Sequence, residues 1–388
     1  SEFVEFQRFS VLKLCNLSKK QALSLVGKLD FDNEIKSHFL TALDERLFER
    51  HRSFASNPLL LNIMLLTFDN YAEIPEKLHL FYANAFETLY SKHDATKAGY
   101  RREMRSSLSY DSFRRIFACF CFVTYYQCKY EMTHEELLSF LKRASRSISA
   151  TEFEAENYIY DLVNSICVLY KEGMIYKFTH RSFQEYFTAI FLKDLSDQNM
   201  RKLGIELIKK DCYRASHDSV FSMLRDMAEQ RFEQNILLPF VIEFDTSLKN
   251  DDGIDKYDLY FRVMSPEITL DDINDDGKIQ LLMCDNFEGS AIGFIYHMTR
   301  YYMYPGDKEY KNRLNQATDK LNAFLIDKRN YNKGDQLKAV IIMDDPEVYS
   351  LIKATWLGKW ISTMIELKEI IESRKKAEDI DLTDLLLE

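Results

Sequence analysis

Glycine and proline are scarce in this chain, 11 and 6 among 388 residues. Folds made of many strands need both residue types at their turns, so the shortage excludes a β-sandwich or barrel and predicts a mostly α protein. No apolar run approaches the ~20 residues of a membrane span, and the first residues lack the basic-then-apolar order of a signal peptide. The expectation is therefore an intracellular, cytoplasmic protein with no membrane contact. Positive charge is also short: 51 basic side chains stand against 61 acidic ones, a net charge of -10. Residues 1–195 carry 25 of each sign and residues 196–388 carry 26 basic and 36 acidic, so the whole surplus falls in the second half. An acidic surface repels a phosphate backbone, which makes DNA an unlikely partner. The seven cysteines, Cys15, Cys119, Cys121, Cys128, Cys167, Cys212 and Cys284, are odd in number and mostly in apolar surroundings, the pattern of reduced, buried thiols. Cys119 and Cys121 have no second ligand pair at zinc spacing, so core packing is expected of them rather than metal binding.

Self-sufficient catalytic motifs are missing as well. Phosphate cradling by a P-loop requires GxxxxGK[ST], and Gly27-Lys28 and Gly358-Lys359 lack both the upstream Gly and the following Ser or Thr. HExxH, GxSxG and GxGxxG are likewise absent. No catalytic residue and no metal ligand is assigned.

What is present is 46% hydrophobic and 14% aromatic, a globular composition long enough at ~150 residues per domain for two or three domains. Ser18 is placed to cap a helix through Ala22, Leu23, Leu25 and Val26. A second amphipathic helix spans about 32–50 on Ile35, Phe39, Leu40, Leu43, Leu47 and Phe48. In Ser56-Asn57-Pro58, Asn57 suits a cap and Pro58 the first helical turn. The run from Leu59 to Leu66 that follows is too continuously apolar for a surface helix. A further helix after Pro75 aligns Leu78, Phe81, Tyr82, Phe86, Leu89 and Tyr90.

From Ser109 the pattern predicts a helix over 113–126, a capping box at Thr133 to Glu136 opening a second helix, and a third over about 151–165. Residues 166–170 and 174–179 read as two strands joined around Glu172-Gly173. Three helices followed by a hairpin is the order of a winged helix. Its recognition helix would open with Glu152, Glu154 and Glu156, the wrong sign for DNA. The hairpin runs into His180-Arg181-Ser182-Phe183-Gln184-Glu185, where Ser182 and Glu185 match a second capping box. That places His180 just before a helix N-terminus, whose free N–H groups and partial positive charge favour an anion such as phosphate; a structural histidine ending a strand fits the same spacing.

Phe178-x-His180-x-Ser182-Phe183-Gln184-Glu185-Tyr186-Phe187-x-Ala189 resembles the FxHxSFQE(F/Y)xxA motif that closes the winged-helix domain of NACHT-family STAND NTPases, animal NLR receptors and their bacterial relatives. Asn57-Pro58-Leu59-Leu60-Leu61, about 120 residues upstream, is similar to the NPLLL segment of the helical domain that follows the NACHT core, and residues 12–22 fit the same region. The resemblance covers roughly residues 5–195. It implies a NACHT-associated helical domain over 1–95, a winged-helix domain over 96–195 and a helical sensor or partner-binding domain over 196–388. In the family the motif Pro packs on adenine and the motif His touches the β-phosphate of ADP, keeping the receptor closed. Carried over, the cofactor contacts are Pro58 and His180. The resemblance further implies ADP or ATP with magnesium in a full-length protein, an upstream NACHT P-loop domain, a protein trigger at the C-terminal domain, homo-oligomerisation on activation and a role in antiviral, antiphage innate immunity. The P-loop, the magnesium-binding acidic strand and the sensor arginine are not in this chain. Ranged against this reading is a helical interaction scaffold that keeps a winged helix only as packing.

Residues 196–388 carry no leucine-rich, TPR or WD period and read as helices near 199–210, 217–228, 256–264, 288–303, 309–327 and 348–373. Asp272-x-Asn274-x-Asp276-Gly277 imitates half an EF-hand loop, but Met283 stands where the bidentate Glu belongs, which favours a plain acidic turn over a calcium site. Tyr296, Tyr301, Tyr302 and Tyr304 suit either a contact surface or the rim of a core helix.

Overall fold

The computed structural model describes residues 15–71, 74–75, 77–92, 104–146, 154–247, 254–264, 267–272, 279–283, 293–295, 297–299, 316–317, 319–321, 323–324 and 336–384. The described chain is mostly helical, as the scarcity of glycine and proline predicts. It divides into two compact units, one of residues up to Ile116 with Lys129–Phe183, the other of Phe117–Cys128 with Gln184 onward. No described helix is long and apolar enough to cross a membrane.

The first unit opens with α1 (Lys19–Lys28), where Ser18 and Gln21 cap each other's backbone N–H groups, and α2 (Asn33–Ala42), capped by Asp32. A turn of π-helix over Leu43–Leu47 leads to the short α3 (Phe48–Arg50) and α4 (Arg52–Ala55). Helix α5 (Pro58–Tyr71) packs on α6 (Leu78–Lys92). Asn57 caps α5 through Oδ1, which accepts from the N–H groups of Leu59 at 3.0 Å and Leu60 at 3.2 Å. Leu60, Leu61, Ile63, Met64, Leu65 and Phe68 are buried, each contributing about 1.5–3 kcal/mol of transfer free energy against the entropy of ordering the helix.

Helix α7 (Tyr110–Tyr126) is followed by β1 (Glu131–Thr133), α8 (His134–Arg146), α9 (Ala155–Tyr160), a π-helical turn over Asp161–Ser165, β2 (Leu169–Glu172), β3 (Ile175–Phe178) and α10 (Arg181–Asp194). The capping box at α8 forms as expected: Thr133 N–H donates to Glu136 Oε2 at 2.9 Å and Glu136 N–H to Thr133 Oγ1 at 3.3 Å. Strands β2 and β3 pair antiparallel from Leu169 opposite Phe178 to Glu172 opposite Ile175, and Gly173 in the turn holds φ at 60°, a conformation that favours glycine. The pairing of β1 with β3 makes this a three-stranded sheet in the order β1-β3-β2, one strand more than the sequence suggested. A three-residue strand ending in a capping box carries too little alternation to be read.

Asp161, fully buried, ties the loop before α7 to the π turn. Its carboxylate accepts the N–H groups of Arg105 at 2.9 Å and Ser106 at 2.8 Å and the Ser165 hydroxyl at 3.1 Å. Asp161→Ala strands these donors and is expected to lower stability by about 2 kcal/mol. A chemical-denaturation midpoint equal to wild type would refute that role.

In the second unit, Phe117 packs on Phe187 at 4.7 Å between ring centroids and Phe122 on Phe191 at 4.6 Å. Cys119 and Cys121 are buried, and burial pushes the Cys121 thiol well above its ordinary pKa. Helices α11 (Asp197–Lys210), α12 (Cys212–His217), α13 (Val220–Met227) and α14 (Glu229–Phe232) lead through a π turn over Glu233–Leu237 into α15 (Leu238–Ser247) and α16 (Lys256–Met264). Then come β4 (Glu267–Asp272), β5 (Ile279–Met283), β6 (Gln336–Lys338), α17 (Ala339–Asp344), α18 (Pro346–Ala354) and α19 (Trp356–Asp384). The expectation of helices alone in this half is corrected by the antiparallel sheet β5-β4-β6. The alternation of Ile268 and Leu270 has the strand period, yet in six residues beside an acidic turn it is overshadowed by the helical pattern around it. Trp360, fully buried on α19, donates its indole N–H to Thr299 Oγ1 at 3.1 Å. Residues 273–278 of the acidic turn and Tyr296, Tyr301, Tyr302 and Tyr304 lie outside the described residues.

Candidate functional site

The two residues singled out by sequence both belong to the first unit. Phe54 sits one turn ahead of Pro58, its carbonyl accepting the Asn57 N–H at 3.1 Å. The Phe54 ring lies 5.7 Å from the His180 imidazole and 4.6 Å from Phe81, between centroids. Tyr82 and Phe183 close the cluster. Pro58 is exposed at the first position of α5 and Leu59 beside it is 48% exposed, an apolar lip on an otherwise buried helix.

His180 is the residue immediately before α10. Its Nδ1 accepts the N–H of Ser182 at 3.2 Å and also meets the Ser182 hydroxyl. This differs from the expected capping box. Ser182 turns back to His180 instead of capping the helix, and Glu185 is buried, accepting the Ser219 N–H at 3.2 Å within the second unit. Imidazole is a cap that no S-x-x-E pattern encodes. Two donors on Nδ1 require its lone pair, so the proton of the neutral ring is assigned to Nε2. Burial lowers the His180 pKa below the ordinary histidine value, which keeps the ring neutral near pH 7. Nε2–H then remains as a donor with no protein acceptor among the described residues, next to the partial positive charge of a 14-residue helix. Chemically, the arrangement offers one oriented hydrogen bond to an anionic oxygen and an apolar lip a turn beyond Phe54.

Sequence reasoning missed His51. It lies between α3 and α4, 4% exposed, with its ring 4.9 Å from Phe81 and a buried Nε2 that has no hydrogen-bond partner. Burial, with Arg50 alongside, lowers its pKa to about 4. A lone histidine at a helix break carries no motif, and nothing in the sequence marks it. Among the described residues, no group of three His, Cys, Asp or Glu side chains is arranged to hold a metal ion. No protein-family model matches the chain, and no curated protein matches it.

Proposed function

We propose that this chain is the regulatory part of a NACHT-type signalling NTPase of the NLR-like kind, with a helical domain, a winged-helix domain and a C-terminal sensor, acting in antiviral defence in the cytoplasm. In this reading Pro58 lies against the adenine of ADP and His180 donates to its β-phosphate, holding the receptor closed until a protein trigger reaches the C-terminal part and copies of the receptor assemble. The bound nucleotide supplies an anionic oxygen for Nε2–H; phosphate cradling and magnesium belong to a P-loop domain upstream.

One observation carries the reading: Nδ1 of His180 is committed to Ser182, which turns the remaining ring proton into a donor at a helix N-terminus. The exposure of Pro58 at the start of α5, in the same unit, lends further support. The order α7, α8, α9 and the β2–β3 hairpin, with α10 after it, is compatible with a winged helix whose hairpin leads into the motif helix.

One charge-assisted contact contributes only about 1.5–3 kcal/mol, too little for tight binding alone. Calorimetry with ADP and ATP on the 388-residue chain is therefore expected to give no dissociation constant below the millimolar range, whereas a chain carrying the upstream P-loop domain binds ADP tightly. Micromolar binding by the 388-residue chain would defeat the proposal.

A further inference from the structure

His217 and His297 are far apart in sequence and meet in the second unit, ring beside ring, at 4.6 Å between centroids and 63° between planes. His217 is the last residue of α12 and is exposed, while His297 is half-buried. Nδ1 of His217 lies 2.8 Å from the backbone carbonyl of Tyr213. A carbonyl only accepts, so Nδ1 carries the proton of the neutral ring and the lone pair is on Nε2. A backbone carbonyl on one nitrogen, with the other nitrogen turned to an ion, is the usual support of a metal-bound imidazole. The Tyr213 ring, stacked on His217 at 4.2 Å, steadies its orientation.

The separation of the two imidazoles is that of two ligands on one ion. With nitrogen-to-metal bonds of about 2.0–2.1 Å, ring centroids stand about 4.5 Å apart when the bonds meet at 90° and about 5.2 Å apart at a tetrahedral angle. The observed 4.6 Å matches the right angle of a tetragonal centre, the geometry of copper(II) and nickel(II) with nitrogen and oxygen ligands. Calcium and magnesium, which take oxygen, are not served by a pair of imidazoles.

Both ligands are carried by anchored backbone. Asp211 caps α12 through the Arg214 N–H at 3.0 Å, and the buried Arg214 guanidinium lies 4.0 Å over the Tyr125 ring. On the other side Phe294 packs on Phe221 of α13 at 5.2 Å and on Phe240 of α15 at 5.8 Å, and Thr299 accepts the buried indole N–H of Trp360. A site held from both flanks loses little entropy when an ion joins its two rings.

We infer that His217 and His297 form a two-imidazole site for copper(II) or nickel(II), with water completing the coordination. The bound ion ties α12 to the segment of Phe294 and Thr299, and so to α13, α15 and α19. The inference uses no residue of the first unit and stands apart from the nucleotide reading.

The test titrates the 388-residue chain with nickel(II) chloride by calorimetry in a buffer that does not chelate metals, and follows thermal unfolding with and without the ion. Saturation at one equivalent and a raised melting temperature are expected. His217→Phe and His297→Phe keep a ring and remove its nitrogens; each should weaken binding about tenfold or more and abolish the thermal shift, with circular dichroism matching wild type. His38→Ala and Cys128→Ser, which remove an exposed imidazole and an exposed thiol elsewhere, should leave both readouts unchanged. Binding indifferent to His217→Phe or to His297→Phe would overturn the paired site, as would equal weakening in His38→Ala or Cys128→Ser. Displacement of nickel by an equal concentration of magnesium would also overturn it, since an oxygen-seeking ion has no claim on two imidazoles.

Discussion

In a full-length receptor, His180→Ala is expected to signal without its trigger. In the proposed reading the Nε2–H bond to ADP is made only in the closed state, so losing about 1.5–3 kcal/mol of differential binding moves a closed-to-open equilibrium roughly ten- to a hundredfold toward open. The same ring also caps α10 through Nδ1, so the alanine variant mixes two losses. His180→Asn separates them. Its side-chain oxygen is suited to accept a backbone N–H two residues on, as asparagine does at helix starts, but it is too short to replace Nε2. Both variants should therefore be constitutively active, with His180→Asn close to wild type in thermal stability. If His180→Asn is stable and silent, the autoinhibitory role is gone and the motif is a packing signature. A strongly destabilised His180→Asn would instead assign the histidine to structure.

The second large effect is a pH dependence centred on His51. Its folded-state pKa of about 4 lies below the ordinary 6.5, so the unfolded chain takes up a proton that the folded chain refuses. The stability this protects is complete above pH 6.5 and is lost as pH falls toward 4, about 3 kcal/mol over the interval. His180, also lowered by burial, contributes in the same direction. His51→Phe keeps a ring against Phe81 and removes both the titration and the partnerless Nε2, so the variant is expected to hold its stability better than wild type between pH 6.5 and 4.5. Urea unfolding of wild type, His51→Phe and His180→Asn at three pH values in that window checks it. Identical pH slopes in wild type and His51→Phe would exclude His51 as the titrating group.

Local signals in the sequence were enough for the helices that announce themselves: Asn57-Pro58 starts α5, Thr133 and Glu136 box α8, and the bounds of α16 match the expected segment at 256–264. Caps and periodic apolar stripes act within a few residues, so they are legible without knowing what packs on them. Tertiary structure decided the rest. Strand β1 acquires its meaning only by pairing with β3, 44 residues away at Met132 and Tyr176, and the sheet of β4, β5 and β6 depends on partners as remote as Leu337. The turn of Glu185 toward Ser219 and the burial of His51 beside Phe81 arise from contacts between segments far apart in sequence. Helix starts are short-range chemistry that a sequence displays; strand partners and buried polar groups depend on which distant groups arrive, and only the folded chain brings them together.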